Sequence, residues 1–414
     1  MGVKGEDFMS INNKWVRAAI PALLIHCSIG TVYCWSTFKQ AIADTIGMST
    51  FSVGWAFSIA IFFLGMSAAF AGNIVEQNIH RSSLISAICF TTGMIGTGLT
   101  IKFCHGVSAL ILIYLFYGCI MGIGLGVGYL TPVKTLMLWF KDNKGLATGI
   151  SIMGFGLAKA IATPIMEFLQ SKYGVHMMFL ILGAVYFVMI FSGHLLLKKP
   201  DGWIEPDSRT NTFRASDMFK NKSFIGIWIM FYLNIHCGLM LISYEKQFLT
   251  NTFATFAGLA TIISIVPSIT AVCNALGRIG YSTISDKMKD RSLTYLIIYM
   301  SCAFMCVLAI SVNKGFIIVA MLMMINLGYG GGFSTLPALL DSKFGMKNIS
   351  KIHGLALSAW AIAGLTGNNL SAVILKLTND NYSVVITAAL VLYIIAFDVC
   401  KALVANKNSG DIKS

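Results

Sequence analysis

Long runs of apolar residues, separated by short polar stretches, are the main pattern along the chain. An α-helix needs about 20 residues to cross the hydrocarbon core of a bilayer, and each run reaches that length. The runs lack the alternation of apolar and polar positions that is typical of membrane barrels, so they indicate helices. Twelve segments follow, at about 15–38, 51–74, 83–103, 108–138, 145–168, 175–197, 223–247, 255–281, 293–313, 315–340, 353–376 and 383–404. The pattern therefore predicts an all-α membrane protein with twelve transmembrane helices.

Composition supports this interpretation and excludes several classes of protein. Of the 414 residues, 56% are apolar and 11% are charged, and the mean hydropathy is +0.76. A soluble protein has about 25% charged residues, so we do not expect a soluble enzyme, a disordered protein or a nucleic-acid binder. The sequence shows no nucleotide-binding loop, no zinc-type cysteine spacing and no His/Asp cluster. We therefore expect no enzymatic activity, no cofactor and no metal.

The distribution of charge predicts the orientation in the membrane. The net charge is +13, and cytoplasmic loops of membrane proteins collect Lys and Arg. With the amino terminus inside, 22 of the 30 Lys and Arg residues fall in cytoplasmic segments, six fall outside, and Lys159 and Arg278 lie within spans. Lys14 and Arg17 precede a full-length span without a small-residue cleavage site, so we expect the first helix to be the targeting signal. The sequence predicts a multi-pass protein of the cell (inner) membrane with both termini in the cytoplasm.

A polar stretch divides the twelve segments into two groups of six. Residues 198–222 contain Pro200, Pro206 and charges of both signs, as is typical of a linker. We expect a six-helix half at 1–197, a cytoplasmic linker at 198–222, and a second six-helix half with a cytoplasmic tail at 223–414.

The two halves repeat one another in register. Four short motifs recur at equivalent helices, at offsets between 204 and 210 residues. The pairs are Ile25-His26-Cys27 with Ile235-His236-Cys237; Gly72…Glu76…Arg81 with Ser282…Asp286-Lys287…Arg291; Gly145-Leu146-Ala147 with Gly354-Leu355-Ala356; and Gly124 to Pro132 with Gly328 to Pro337. One tripeptide match would be chance, whereas four in register indicate pseudo-symmetric halves.

These repeats resemble the major facilitator superfamily, whose transporters contain parallel six-helix halves around a site near the membrane midplane. The loop after the second span matches the superfamily's Gly-x-x-x-Asp signature at Gly72, with Glu76 for Asp and Gln77 for the basic residue. Further motifs resemble the oxalate/formate antiporter family. They are Gly122 to Tyr129, Thr131-Pro132, Trp139-Phe140-x-Asp142-x-x-Gly145-Leu146-Ala147-x-Gly149, Tyr33-x-Trp35 and Asn274-x-x-x-Arg278. The resemblance covers nearly the whole chain.

The resemblance implies a secondary active transporter of small carboxylate anions, such as formate, oxalate, lactate or pyruvate, which works by alternating access and exchanges anions. Its partners would be the small anion and the lipid bilayer, without nucleic acid, and we expect a monomer. Two alternatives stay open: proton-coupled symport of a monocarboxylate, and a membrane sensor that does not transport. Proton relays in membranes use buried Asp, Glu or His. Since no acid lies centrally in a span, the sequence favours exchange.

Arg278 is the first candidate for binding the substrate. It lies eight residues before Asp286, about 12 Å into a hydrocarbon core of about 30 Å. An unpaired cation at that depth is costly, so it should face water or a counter-charge, and a guanidinium matches a carboxylate in two-point geometry. In the family that the chain resembles, the arginine at this position is one of two cations that hold the substrate carboxylates. A structural ion pair is the alternative.

The second family cation, a lysine in the eleventh helix, is replaced here by Trp360. With one cation, a dianion would keep an uncompensated charge in a low-dielectric site, so Trp360 favours a monocarboxylate. Lys159, fourteen residues into the fifth segment, could supply the missing charge if it faces the cavity. Alternatively, its long side chain snorkels to the outer headgroups.

Further candidates line the cavity or its entrances. The symmetric pair His26 and His236 could donate to the anion or titrate near neutral pH, although a lone intramembrane His more often bonds a neighbouring helix. The resemblance also implies aromatic side chains around a small flat anion. These are Tyr33, Trp35, Tyr129, Tyr329 and Phe333.

Charged residues at the ends of the second and eighth helices are candidates for gating. They are Glu76, Arg81, Asp286, Lys287 and Arg291. Such groups can pair with neighbouring helix ends and hold the cytoplasmic side shut. The alternative is that they anchor the positive-inside orientation, which for Arg81 would be the whole role.

Overall fold

The computed structural model describes residues 13–203, 214–312 and 314–405, and these ranges form helices joined by short connections, without a strand. Single helices are α1 (Trp15–Ile46), α2 (Thr50–Gln77), α3 (Ile79–Phe103), α4 (Gly106–Trp139), α7 (Lys222–Ile242), α8 (Leu259–Asp286), α9 (Ser292–Val312), α10 (Gly315–Phe344), α11 (Ile349–Leu377) and α12 (Tyr382–Val404). The stretch Lys144–Leu196 supplies α5 and α6, at 144–173 and 175–196. Two short helices, Ala215–Met218 and Glu245–Thr252, flank α7.

The described helices satisfy the length requirement of a multi-pass membrane protein. Ten helical stretches are long and apolar enough to cross a membrane. One of them, Lys144–Leu196, has 53 residues, about 80 Å of helix, which is too long for one crossing. It breaks at Gly174, where φ is 79°, a left-handed value that glycine adopts without a Cβ clash. The break divides this stretch into two helices, and the 29-residue α11, which is not among the ten, adds one more. The predicted all-α fold with twelve transmembrane helices is therefore confirmed.

Three helix ends differ from the hydropathy boundaries. Helix α1 continues to Ile46, because the apolar side chains of its last turns are buried. The exposed Ser36 and Gln40 lower the mean hydropathy of these turns, but the turns remain helical. Helix α7 ends at Ile242, five residues early, and the chain turns into the helix Glu245–Thr252. Helix α8 runs on to Asp286. The first two shifts place polar side chains beside the cavity described below.

Helices from opposite halves pack directly against each other. Helix α2 runs along α11, and its pseudo-symmetric equivalent α8 runs along α5. Small residues permit the close approach: a Cβ on Gly65 of α2 would lie 2.6 Å from the backbone nitrogen of Ala361 on α11, and one on Gly149 of α5 would lie 3.0 Å from the carbonyl oxygen of Arg278 on α8. Residues 1–12, 204–213 of the expected linker, and 406–414 lie outside the described residues.

One end of this interface is closed by two carboxylates, Glu76 and Asp286, which we name the latch. Glu76 accepts a hydrogen bond from the backbone N–H of Ser350 (2.7 Å) in the first turn of α11 and pairs with Lys134 (2.5 Å). Asp286 accepts from the backbone N–H groups of Gly145 and Leu146, each at 2.8 Å, in the first turn of α5. Each half therefore places a negative charge at the positive end of a helix in the other half.

The other candidate gating residues divide between the latch and the surface. Arg291 donates to Asp286 at 2.7 Å and so supports the latch. Arg81 and Lys287 are exposed, and neither forms an ion pair within the described ranges. In this conformation they therefore take no part in the latch: Arg81 lies in the first turn of α3, where Asn78 caps its backbone N–H, and Lys287 follows the end of α8. This agrees with the alternative that Arg81 only anchors the positive-inside orientation.

Asp286→Asn should loosen the closed end. The substitution removes the charge that interacts with the α5 terminus, an interaction worth about 0.3–2 kcal/mol, so the population opened at this end should increase. Spin labels at Lys141 and Lys347, exposed residues of opposite halves beside the latch, should then report longer distances by pulsed EPR once the half-exposed native cysteines are replaced. Asp217→Asn, which removes an exposed carboxylate, is the control. Identical distance distributions for Asp286→Asn and wild type would contradict the role of the latch.

Candidate functional site

A cavity of about 400 Å³ lies between the two halves, on the opposite side of the interface from the latch. Its mouth is lined by Lys39 of α1, by Thr50 at the start of α2, and by Gln247 of the short helix after α7. Its deeper wall comes from α5, α8 and α10. The cavity is therefore open at the end remote from the latch, and both halves contribute to it.

Arg278 of α8 is the deepest charged group of the cavity wall and is 1% exposed. Its Nε donates to Oδ1 of Asn274 (2.9 Å), and one terminal nitrogen, Nη1, donates to the carbonyl oxygen of Ile152 (3.2 Å). The guanidinium carbon lies 5.5 Å from the ring centre of Phe333 and 5.9 Å from that of Phe155. Within the described ranges no carboxylate forms an ion pair with it. A buried positive charge without an acidic partner is energetically costly, and binding of an anion would offset that cost.

Lys159 of α5 lies on the wall of the same cavity. A Cβ on Gly156, three residues earlier, would lie 2.9 Å from Nε of Arg278, so this face of α5 touches the guanidinium. Residues three apart lie on one helix face, so Lys159 lies on the side of α5 that borders the cavity. Arg278 and Lys159 therefore line the cavity from opposite halves.

Aromatic side chains border the cavity at the level of Arg278. Tyr33 of α1 and Tyr329 of α10 line it, and their hydroxyl oxygens lie 3.2 Å apart across the interface between halves. Trp35 also lines it, with its ring centre 4.3 Å from that of Tyr117. These three side chains lie where the sequence predicts them.

A second group of aromatic rings forms the floor of the cavity, between Arg278 and the latch. Tyr129, Phe155, Phe333 and Trp360 are buried, with successive ring centres 4.5–5.8 Å apart. The expectation that Tyr129, Phe333 and Trp360 line the pocket is corrected here: in this conformation their bulk fills the interface below it. Tyr129 Oη and Trp360 Nε1 have no hydrogen-bond partner among the described residues.

His26 and His236 do not line the cavity, contrary to expectation. Nδ1 of His26 lies 2.6 Å from the carbonyl oxygen of Ser151, and Nε2 lies 3.2 Å from that of Tyr129. Nδ1 of His236 lies 3.0 Å from Oγ1 of Thr366. Both imidazoles are buried between helices, so they join neighbouring helices by hydrogen bonds.

Glu245 is the residue that the sequence reading missed. It lines the cavity, is 5% exposed, and accepts a hydrogen bond from Oγ1 of Thr270 at 2.6 Å. Hydropathy placed it at the outer end of the seventh span, whereas the early end of α7 turns it back over the cavity. The available signal was that Glu245 is the only acidic residue between 223 and 281.

Comparison with known proteins agrees with this architecture. The sequence profile of the Major Facilitator Superfamily matches residues 22–368. The chain is 25% identical to the "Oxalate:formate antiporter" of Oxalobacter formigenes, over 93% of this chain and 90% of that protein. It is 23% identical to the "Uncharacterized MFS-type transporter YhjX" of Escherichia coli K12 (85% and 86% covered), and 21% identical to "Apicoplast pyruvate carrier 1" of Toxoplasma gondii (85% and 82%).

Solved structures share the fold at low sequence identity. A bacterial homologue of the iron transporter ferroportin, crystallised in an outward-facing state, superposes with a TM-score of 0.73 at 10% identity, covering 95% of this chain and 99% of that one. The proton:xylose symporter XylE superposes with a TM-score of 0.67 at 13% identity, covering 92% and 93%. These likenesses concern the fold alone.

Gly156→Ala should disable the site, because the added methyl group would crowd both Nε of Arg278 and Oδ1 of Asn274, which lies 3.3 Å from it. Affinity can be measured from the rise in melting temperature of the purified protein as small carboxylates are added. The apparent affinity obtained in this way should fall at least about tenfold, the change that about 1.4 kcal/mol gives. Gly280→Ala, where nothing lies within 4 Å of the new Cβ, is the matched control and should behave as wild type. Equal responses of the two variants would remove Gly156 from the site.

Proposed function

The chain belongs to the major facilitator superfamily and is a membrane transporter, and we propose that it moves small carboxylate anions across the cell (inner) membrane by alternating access, as an anion exchanger. The observation that carries this proposal is Arg278: a guanidinium that is 1% exposed, lines the cavity and has no acidic partner among the described residues.

The geometry around Arg278 explains why the ligand would be a carboxylate. Asn274 and the Ile152 carbonyl accept hydrogen bonds from Nε and Nη1, and the Tyr33 hydroxyl also lies within interaction distance of the guanidinium. A guanidinium carries five N–H donors, so further donors of Arg278 remain for a ligand. Donors arranged in such a fork match the two oxygens of a carboxylate. Tyr33 and Tyr329 add hydroxyl groups at the same level. The cavity volume of about 400 Å³ suits a small organic anion.

The position of the two cations also supports alternating access. Arg278 belongs to the second half and Lys159 to the first, so an anion held by both would attract the halves toward each other at the open end. Closure there would complement opening at the latch, where Glu76 and Asp286 also join opposite halves. Substrate charge would thus favour the transition between the two conformations.

The relatives support the same ligand class. Two of them are named for transport of oxalate, formate or pyruvate, which are small carboxylates, although their identities to this chain are only 25% and 21%. Trp360 stands where the oxalate transporter pattern has a lysine, and Lys159 offers a cation elsewhere on the cavity wall. The site therefore differs from that pattern in where its second charge lies.

The orientation and assembly state form part of the proposal. The latch end carries exposed or half-buried basic residues of the loops, including Lys141, Lys144 and Lys347, which by the positive-inside rule favours the cytoplasmic side for it. With that orientation both termini would lie in the cytoplasm, and the cavity would be open to the outside. The cavity is built from one chain, which is consistent with a monomer as the working unit.

Proton-coupled symport of a monocarboxylate is the second candidate, and Glu245 favours it. A buried carboxyl group in the transport cavity could carry a proton with the substrate. Uptake into proteoliposomes with and without a pH gradient separates the two: an exchanger needs internal anion and ignores the gradient, whereas a symporter is driven by it. Binding without flux in either format would indicate a sensor.

Arg278→Gln should nearly abolish counterflow of carboxylates at concentrations that half-saturate the wild-type protein. Counterflow into proteoliposomes would be measured with formate, acetate, lactate, pyruvate and oxalate. Loss of one partner of a buried charge pair costs about 2–5 kcal/mol, so apparent affinity should fall by about thirtyfold or more. Arg81→Gln, which removes an exposed arginine outside the cavity, should stay within about twofold of wild type, because exposed charges contribute little. Retained counterflow with unchanged affinity in Arg278→Gln would refute the proposed function.

A further inference from the structure

Glu245 is the single acidic side chain among the described residues that line the cavity. Its partner Thr270 is itself 1% exposed, so the hydrogen-bonded pair is buried in the cavity wall. Its position is fixed by the short helix that it begins, because Phe248 and Leu249 of that helix are buried in the core. The Glu245 carboxylate is therefore held at a defined position in the cavity wall.

The charges that face Glu245 come from several elements. Lys159 of α5 belongs to the other half, Lys246 is the next residue in the chain, and the Cys273 thiol of α8 is the nearby titratable group. Burial raises the pKa of the Glu245 carboxyl, whereas the hydrogen bond from Thr270 and the charges of Lys159 and Lys246 lower it. Lys159 and Glu245 do not form an ion pair among the described contacts. The ammonium group of Lys159 is thus available to an anion while Glu245 acts on it through space.

We propose that Glu245 sets the charge selectivity of the cavity: ionised, it offsets one of the two cations Arg278 and Lys159 and restricts the site to monocarboxylates, and protonated, it admits a dianion. This inference rests on the proposed function and deepens it. With Glu245 ionised, the three groups carry one net positive charge, which one carboxylate neutralises. A dianion would leave an excess negative charge in a partly dehydrated site, where an uncompensated charge is costly. Lys39 lies at the mouth, where salt screens it.

The proposal also explains why a site that selects monocarboxylates would contain two cations, Arg278 and Lys159, above the floor formed by Trp360. A single arginine would suit a monoanion without Glu245, and two cations alone would suit oxalate. Arg278 and Lys159 from opposite halves, together with Glu245, allow a monoanion to be attracted by both halves. With Glu245 present, both halves can still attract the substrate, while the preferred substrate is a monoanion instead of a dianion.

Glu245→Gln tests the proposal directly. The affinity ratio of oxalate to lactate, measured by competition for counterflow in proteoliposomes, should rise at least about tenfold, the scale expected when one unit charge is removed from such a site. The double variant Lys159→Met, Glu245→Gln removes one charge of each sign, so its ratio should return toward wild type. Glu167→Gln, which neutralises an exposed carboxylate of α5 outside the cavity, should leave the ratio unchanged.

A pH series on the wild-type protein tests the same point without a substitution. As the pH falls from about 8 to about 5.5, toward the usual range of a glutamate, the protonated fraction of Glu245 increases, and because burial raises the pKa of its carboxyl this increase is larger than for an exposed glutamate. The oxalate-to-lactate ratio should therefore rise on acidification in wild type and stay flat in Glu245→Gln.

The outcomes separate this inference from the proposed function. If the wild-type protein transports carboxylates but its ratio is insensitive both to pH and to Glu245→Gln, the role of Glu245 is refuted and the transporter assignment stands. If Glu167→Gln shifts the ratio as much as Glu245→Gln does, the effect belongs to general surface charge and the inference is overturned. If the wild-type protein transports no carboxylate, the proposed function fails and the inference fails with it.

Discussion

The buried guanidinium of Arg278 is the constraint on which the rest of the site depends. A positive charge that is 1% exposed within a membrane protein must be stabilised by dipoles, aromatic rings or an anion. Here Asn274 and the Ile152 carbonyl hold two of its nitrogens, and Phe155 and Phe333 lie beside it. Arg278 lines the cavity, which supports a small anion as the proposed ligand, and the guanidinium lies so close to Gly156 that a side chain there would crowd it.

The repeat of six helices places similar contacts in both halves of the molecule. The latch is the clearest product of the repeat, because Glu76 and Asp286, 210 residues apart, each contact the first turn of a helix in the other half. The cavity departs from symmetry where the charges differ: Arg278 and Glu245 come from the second half and Lys159 from the first. In the proposed function, the symmetric contacts would permit the movement between conformations, and the asymmetric charges would set the selectivity.

Sequence reasoning predicted the features that follow from hydropathy and internal repetition. The helices and the two halves belong to this group. Arg278 also belongs to it, because an arginine near the middle of an apolar segment can be recognised from the sequence alone. Where a side chain points was harder to predict. His26 and His236 bond neighbouring helices instead of facing the cavity, because helix rotation is set by packing that hydropathy does not record. Glu245 was missed because its position depends on α7 ending five residues early.

Calorimetric titration of the purified protein with lactate and with its neutral amide, lactamide, is the most direct test of the central claim. The two ligands have nearly the same shape and differ in the negative charge that Arg278 and Lys159 would bind. The account predicts that lactate binds and that lactamide binds at least about thirtyfold more weakly, since a hydrogen-bonded buried charge pair is worth about 2 kcal/mol or more. Equal affinities for the acid and the amide would contradict it.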